Sequence, residues 1–387
     1  MTVRATARGP ERYSLEGTSV DVLICGASFA GLATARELAG AGASVLIVDR
    51  YAVGERATSA CACPTPWLQA LGLTDAIVQE LPYMRFTTPQ GSTRYRLPWS
   101  WSAFDYRRLC GLLYQQSALP FETARVVGRV DGGPWSAGPI TVATDRGTIS
   151  AALVVDALGW RRVLAAEGYQ PPAAPLSRGL EVHPHVDATG KDELHVWVER
   201  ALVRRGYGWE VPAGGEARVG VGSYDPSQHV REPTEALAER LGVTRERYQG
   251  NWFPHQLREA TEGGVFFAGD AAGHCLPLSG EGIRTALYFG LACGRELRAV
   301  LEGRKSREQA LIDYHAFSAA HAGTFEFALR LQRLVPALPP ALLTAALRAI
   351  GSQPIVDRAF GWYIDRAPAS FVRPVPTAAP QGARAAA

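Results

Sequence analysis

The chain has 387 residues, 47% hydrophobic and 20% charged, a globular balance with length enough for two packed domains or one large domain carrying an insertion. Its 40 basic and 37 acidic side chains leave a formal charge of +3, too small to point to nucleic acid as a partner. The six cysteines, Cys25, Cys61, Cys63, Cys110, Cys275 and Cys293, lack CxxC spacing, which argues against a zinc site or a disulfide framework and fits a reducing cytoplasm.

The first residues, MTVRATARGPERYSLEG, are charged and lack an apolar core segment, so no signal peptide is expected, and no uncharged run reaches the length of a membrane span. Val20 to Cys25 is a short β-branched run stopped by Gly26. Ala30 to Ala41 has helix composition, and Ala43 to Asp49 is a second buried strand. In this βαβ opening Gly26, Ser28 and Gly31 stand at the positions of G-x-G-x-x-G, and Asp49 follows Gly26 by 23 residues. Gly26 allows the tight turn, a small residue at Ser28 lets the backbone approach a pyrophosphate, and Gly31 permits close helix packing. An acid ending the second strand accepts from ribose hydroxyls. The pattern predicts dinucleotide binding, with NAD or FAD as the ligand.

The loop from Arg50, RYAVGERATSACACPTP, carries Cys61 and Cys63, thiols placed to line a reactive ring or simply to pack under the loop. Tyr83 to Pro98 alternates as a hairpin turning near Pro89-Gln90-Gly91, and Phe104 to Ser117 is an amphipathic helix with Asp105 early. Short strands from Phe121 lead into Ala151 to Asp156, a buried strand ended by Asp156-Ala157-Leu158-Gly159. From Leu176 to Tyr224 four alternating segments, GLEVHPHV, ELHVWVER, GYGWEVPA and EARVGVGSY, predict an antiparallel sheet. There Tyr207, Trp209, Trp197, His183 and His185 are bulky enough to wall a substrate cavity or to fill a core.

Pro226 to Gly242 reads as helix. The strand Val265 to Ala268 then stops at Gly269-Asp270, setting a carboxylate at the edge of a sheet where open α/β folds bind ligands. A helix begins near Ser279-Gly280-Glu281-Gly282, and its free N–H groups favour negative charge in front of them. The remaining helices, with LQRLVPALPPALLTAALRAI among them, either dock on the core, cap a lipophilic pocket or rest on a membrane surface.

In order and spacing, the Gly26 turn with Asp49, the Asp156 strand end and the Gly269-Asp270 strand end with its helix resemble the two-dinucleotide-fold flavoprotein superfamily of aromatic-ring hydroxylases, flavin halogenases and geranylgeranyl reductases, over roughly Val20 to Gly303. Four details are similar to the geranylgeranyl reductase branch: Cys61 after the ribose acid, Phe104-Asp105 opening a helix, the strand Gly206 to Pro212, and Pro277 followed by Gly280-Glu281-Gly282-Ile283. The resemblance implies FAD, with Asp270 on its ribityl chain and the Gly280–Gly282 helix start facing the ring. The sequence departs from that branch in two places. Ala62-Cys63-Pro64 replaces a glycine-rich run, and no arginine precedes Phe104, so Arg107, Arg108 or Arg56 would supply a phosphate contact. Trp99-Ser100-Trp101-Ser102 does not complete the halogenase W-x-W-x-I-P signature.

The fold expected is α/β: a Rossmann-type FAD-binding domain over 18–82, 104–165 and 251–303, with an inserted antiparallel-sheet substrate domain over 83–103 and 170–250. A helical cap over 304–367 and flexible tails at 1–17 and 368–387 complete it. The expected cofactor-binding residues are Gly26, Ser28, Gly31, Asp49, Arg50, Arg107, Gly269, Asp270, Gly280 and Gly282, with Cys61 or Cys63 as catalytic proton donor. The expected function is hydride transfer between FAD and an apolar unsaturated small molecule, or monooxygenation with O2. Since no second glycine-rich βαβ unit is present, NAD(P)H is expected to bind only transiently unless another protein donates the electrons. The expected location is cytoplasmic, with at most peripheral membrane contact.

Overall fold

The computed structural model describes residues 13–57, 59–130, 138–165 and 176–376. The βαβ opening folds as its pattern dictates. Strand Thr18–Cys25 pairs in parallel with Val45–Asp49 on one side and with Gly147–Asp156 on the other, and the short helix Phe29–Glu37 connects the first two. Strand Val265–Phe267 pairs in parallel with the far side of Gly147–Asp156. The register sets Cys25 beside Val48 and Asp156, and Phe267 beside Asp156. Gly26, Asp49, Asp156 and Gly269 therefore end their strands at one edge of the sheet, although the four segments are far apart in sequence.

The helix that begins at Ile283 runs to Leu301, and Gly290 and Gly294 face the first helix. A Cβ on Gly290 would lie 2.5 Å from the Ala30 carbonyl oxygen, and one on Gly294 2.6 Å from that of Thr34. Thr34 Oγ1 donates across this contact to the Gly290 carbonyl at 3.0 Å. Because Gly290 meets Ala30 and Gly294 meets Thr34, the two helices run parallel and point their N-termini to the same edge of the sheet.

The second sheet orders its strands Gln249–Pro254, Leu176–Val182, Ala217–Ser223, Gly206–Pro212, Glu193–Trp197, Ile77–Thr88, Gly91–Phe104 and Ala62–Pro64. Its neighbours are antiparallel as expected, with one exception: Glu193–Trp197 runs parallel to Ile77–Thr88. The sheet recruits more chain than the expected substrate domain, since 62–64, 77–82 and 251–254 belong to it rather than to the FAD-binding sheet.

The expected tails also need correction. Leu15 is buried and its N–H donates to the Arg146 carbonyl at 2.7 Å, while Phe371 packs on Tyr288 with ring centroids 4.5 Å apart. Residues 13–17 and 368–376 are thus part of the packed body, and 1–12 and 377–387 lie outside the described residues. The C-terminal helices Pro340–Ala349 and Gln353–Asp365 close over the hairpin, with Tyr95 donating to the Leu347 carbonyl at 2.6 Å and Trp99 Nε1 to that of Phe360 at 3.2 Å.

Candidate active site

The turn at the end of the first strand is built around two contacts that leave no room for a side chain. Gly26 adopts φ +113°, and a Cβ there would lie 2.3 Å from the Ala157 carbonyl oxygen; a Cβ on Gly31 would lie 1.9 Å from that of Gly26. Ser28 caps the first helix by backbone alone, its hydroxyl accepting from Tyr106 at 3.1 Å, so the first N–H groups of the helix face outward beside Phe29 and Ala30. The Asp49 carboxylate accepts from the N–H of Ala27 at 2.8 Å and of Tyr51 at 3.0 Å. Burial pushes its pKa up while those bonds and Arg50 pull it down, with burial prevailing. Arg50 and Arg56 flank the Tyr51 ring, and Arg125 lines the same end.

At the other anchor Gly269 turns with φ +65°, which brings the Asp270 carboxylate to face the start of the long helix: a Cβ on Gly282 would stand 3.6 Å from Asp270 Oδ1. No described residue donates a hydrogen bond to that carboxylate. Burial raises the pKa of Asp270 to about 6, with Arg258 working in the opposite direction. The loop Gly280-Glu281-Gly282 is held from behind. Glu281 takes two hydrogen bonds of 2.7 Å from the fully buried Arg284 and another from the Tyr363 hydroxyl. Arg284 in turn donates to the carbonyls of Ile364 and Ala367. A buried ion pair hydrogen-bonded on both sides is a positioning device, and here it fixes the cap helix Gln353–Asp365 to the loop.

Both anchors open into one cavity of about 1280 Å³. That exceeds the roughly 300–1,000 Å³ of a single-ligand site, so it has room for a cofactor and a second molecule. From Asp49 and Ser28 the cavity passes Asp270 and Gly280 and continues between the second sheet and the cap, where Phe86, Trp101, Val196, Trp209, Leu347 and Phe360 make it apolar. Trp209 lies flat on the sheet because three glycines make room beneath it. A Cβ on Gly179, Gly220 or Gly222 would stand 3.4, 2.4 or 3.3 Å from the indole. Tyr207 also lines the cavity, whereas Trp197, His183 and His185 do not.

Seven of the ten expected cofactor residues, Ser28, Asp49, Arg50, Gly269, Asp270, Gly280 and Gly282, line this cavity, while Gly26 and Gly31 shape the turn behind it. Arg107 does not converge. It is exposed, and its backbone supports Gly54 instead. Arg56, Arg125 and Arg161 line the cavity beside Arg50 in its place.

Neither expected thiol reaches the cavity. Cys61 and Cys63 are buried to 2% and 0% exposure, and burial pushes both thiols far up in pKa. Cys61 sits in the left-handed region at φ +52°, held by Arg218, which donates to the carbonyls of Ala60 and Cys61 at 2.8 and 3.0 Å. What the loop presents to the cavity is Ser59, Ala60 and Ala62. Cys63→Ser and Cys61→Ser are accordingly expected to keep FAD and to leave turnover within about twofold of the parent in steady-state assays, the small loss coming from packing. A drop of tenfold or more in either would return a thiol to the chemistry.

The remaining functional groups lie where local sequence signals are weak. Arg125 lies in a short polar strand junction and Tyr363 in a helix whose apolar face reads as core. The Gly220-x-Gly222 alternation beside a tryptophan-bearing strand was the one signal that could have placed Trp209 flat on the sheet.

Comparison with known proteins agrees with this geometry. Residues 19–97 match the FAD binding domain family. The chain is 23% identical over 337 residues to digeranylgeranylglycerophospholipid reductase 3 of Methanosphaera stadtmanae, covering 79% of this chain and 83% of the relative. It is 36% identical to geranylgeranyl diphosphate reductase of Rhodobacter capsulatus over 94 residues, 23% of each. Among solved structures, a geranylgeranyl bacteriochlorophyll reductase-like protein of Thermoplasma acidophilum superposes with a TM-score of 0.76 at 16% identity, covering 92% of this chain and 98% of that one. The chain is an FAD-dependent oxidoreductase, and its fold is that of these flavoproteins. The same fold serves other chemistry, since p-nitrophenol 4-monooxygenase of Pseudomonas putida superposes on the oxidoreductase with a TM-score of 0.68 at 16% identity, covering 90% and 99% of the two chains.

Proposed function

We propose that this oxidoreductase transfers a hydride to or from a carbon–carbon double bond of a largely apolar small molecule, in isoprenoid or specialised metabolism. The observation that carries the reading is the continuity of the cavity: the space that starts at Asp49 and passes Asp270 continues without a barrier into an apolar chamber under the cap. When bound, FAD supplies hydride transfer at its ring. The chain's own part is to hold and orient. Ser28 and the first helix start would take the pyrophosphate, Asp49 the ribose, Asp270 the ribityl chain, and the Gly282 helix start the negative edge of the reduced ring. The apolar chamber excludes water and keeps an unsaturated chain against the cofactor. The names of the two reductase relatives support a polyprenyl substrate. NAD(P)H is the proposed electron donor, binding transiently, with an external donor protein as the alternative. Among the described residues no helix is long and apolar enough to cross a membrane. A cytoplasmic location is part of the proposal and rests on the six free thiols, which suit a reducing compartment.

The test is turnover of geranylgeranyl compounds under anaerobic conditions with NADPH or dithionite as reductant. A saturated product formed without oxygen is expected. Strict dependence on O2, with labelled oxygen appearing in the product, would instead establish the monooxygenase alternative that the shared fold allows.

A further inference from the structure

We propose that Glu181 forms a donor-recognising subsite in the chamber wall, binding a hydroxyl or amino group carried by the apolar substrate. This inference rests on the function proposed above and adds the polar chemistry of the substrate to it. Glu181 lines the cavity although it is only 2% exposed, in a row across the sheet with Trp209, Val196 and Phe86. A carboxylate in such a wall is costly unless something uses it. Its Oε1 lies 2.8 Å from His183 Nε2, and its Oε2 accepts from Trp209 Nε1 at 3.0 Å. Two carboxylate oxygens offer about four lone-pair sites, so acceptor capacity remains after these two bonds.

The cations behind the wall are committed elsewhere. Arg218 donates to Glu216 at 2.9 Å and to the carbonyls of the Cys61 loop, and Arg247 donates to Glu216 at 2.8 Å. His183, 3.7 Å from Glu216 through its Nδ1, is shared between both carboxylates. Against the effect of burial, Glu181 also pushes the pKa of His183 up, so the imidazole behind it balances its charge, and what the edge turned to the cavity offers is acceptor capacity, suited to a hydroxyl or an amine rather than to a carboxylate or phosphate. Gln249, opposite Glu181 in register, adds a buried Oε1 with no hydrogen-bond partner, so surplus acceptor capacity is not confined to the carboxylate.

Holding Trp209 flat does not require the charge. The three glycines beneath the indole already set the ring, and its N–H needs only a neutral acceptor. A structural role and a recognition role thus make different predictions for Glu181→Gln.

The experiment titrates the holoenzyme with geranylgeraniol, with its methyl ether, which keeps the chain and removes only the donor, and with geranylgeranoic acid, reading perturbation of the flavin absorption band. The alcohol is expected to bind roughly tenfold or more tighter than the ether or the acid, the range of a hydrogen bond to a charged group. Glu181→Gln is expected to remove that preference, whereas Trp209→Phe should weaken all three ligands together and keep their order. Equal affinity of alcohol and ether in the wild type, or a preference that survives Glu181→Gln, overturns the subsite and leaves the proposed function standing. If none of the three ligands perturbs the flavin, both fall. Should Glu181→Gln fail to retain FAD, the alcohol and ether comparison in the wild type decides the matter unaided.

Discussion

Gly31→Ala is expected to yield a chain that no longer retains FAD and unfolds well below the parent. The added methyl would stand 1.9 Å from the Gly26 carbonyl oxygen, a backbone atom rather than the mobile end of a side chain. Gly26 cannot retreat. Its N–H is bonded to the Val48 carbonyl at 2.8 Å, and the place of its own Cβ is taken by the Ala157 carbonyl. The clash must therefore push the first helix off the sheet, and that helix also packs against Gly290 and Gly294, so the second anchor moves with the first. Overpacking of this kind costs about 3 kcal/mol or more. Thermal unfolding and FAD titration by quenching of flavin fluorescence measure the effect. Gly111→Ala is the control. It lies in the helix Tyr106–Ser117 with open space at its Cβ, and alanine there should stabilise by about 0.5–1 kcal/mol through helix propensity. If Gly31→Ala matched the control in both measurements, the close packing of turn and helix would be wrong.

The same contact explains how much of this fold could be read before the structure. Gly26, Ser28, Gly31 and Asp49 are legible because local chemistry sets them: a turn, a helix start and a strand end lie within 24 residues and each needs a particular residue type. The strand ends at Asp156 and Gly269 are legible for the same reason. The second sheet was legible as strands but not in its pairing. Alternation fixes which face a residue takes and says nothing of its partner, so the parallel pairing of Glu193–Trp197 with Ile77–Thr88 had no local signature. Composition alone reads both ends as tails, yet Leu15 is buried and Phe371 packs on Tyr288, and one large side chain at each end is enough to fasten the segment. The loop thiols show the limit most clearly. Sequence places Cys61 after the ribose acid, but the left-handed turn at that residue, held by Arg218 from a strand distant in sequence, leaves the thiol buried and off the cavity. The role of Tyr363 is hidden for a related reason: it reads as one more apolar helix residue until Arg284 and Glu281 meet it from another part of the chain.

Asp270→Asn is expected to raise the stability of the FAD-free protein while lowering its affinity for FAD, two effects of opposite sign from one substitution. In the folded chain burial lifts the carboxyl from its ordinary 3.8 to about 6, against the pull of Arg258. A carboxyl whose folded pKa is raised stabilises the protein fully below the unfolded value, and that contribution is lost as the pH rises through the folded value. Wild type and variant should therefore be equally stable below about pH 4, diverge between there and about pH 6, and stay apart above it, with the asparagine form the more stable. The gap at neutral pH is at most about 3 kcal/mol, at 1.36 kcal/mol per pKa unit, and smaller to the extent that solvent in the cavity screens the charge. With FAD the order reverses. A charge-assisted hydrogen bond is worth about 1.5–3 kcal/mol, so Asp270→Ala should weaken FAD binding roughly tenfold to a hundredfold, and Asp270→Asn, which keeps one acceptor, by less. Melting curves of the FAD-free proteins from pH 4 to 8, set beside FAD titrations at pH 7.5, test both halves. A variant that lost affinity without gaining stability would show that Arg258 fully compensates the buried charge. One that kept its affinity would remove Asp270 from the cofactor site and leave the Gly282 helix start to hold that end of the FAD by its backbone.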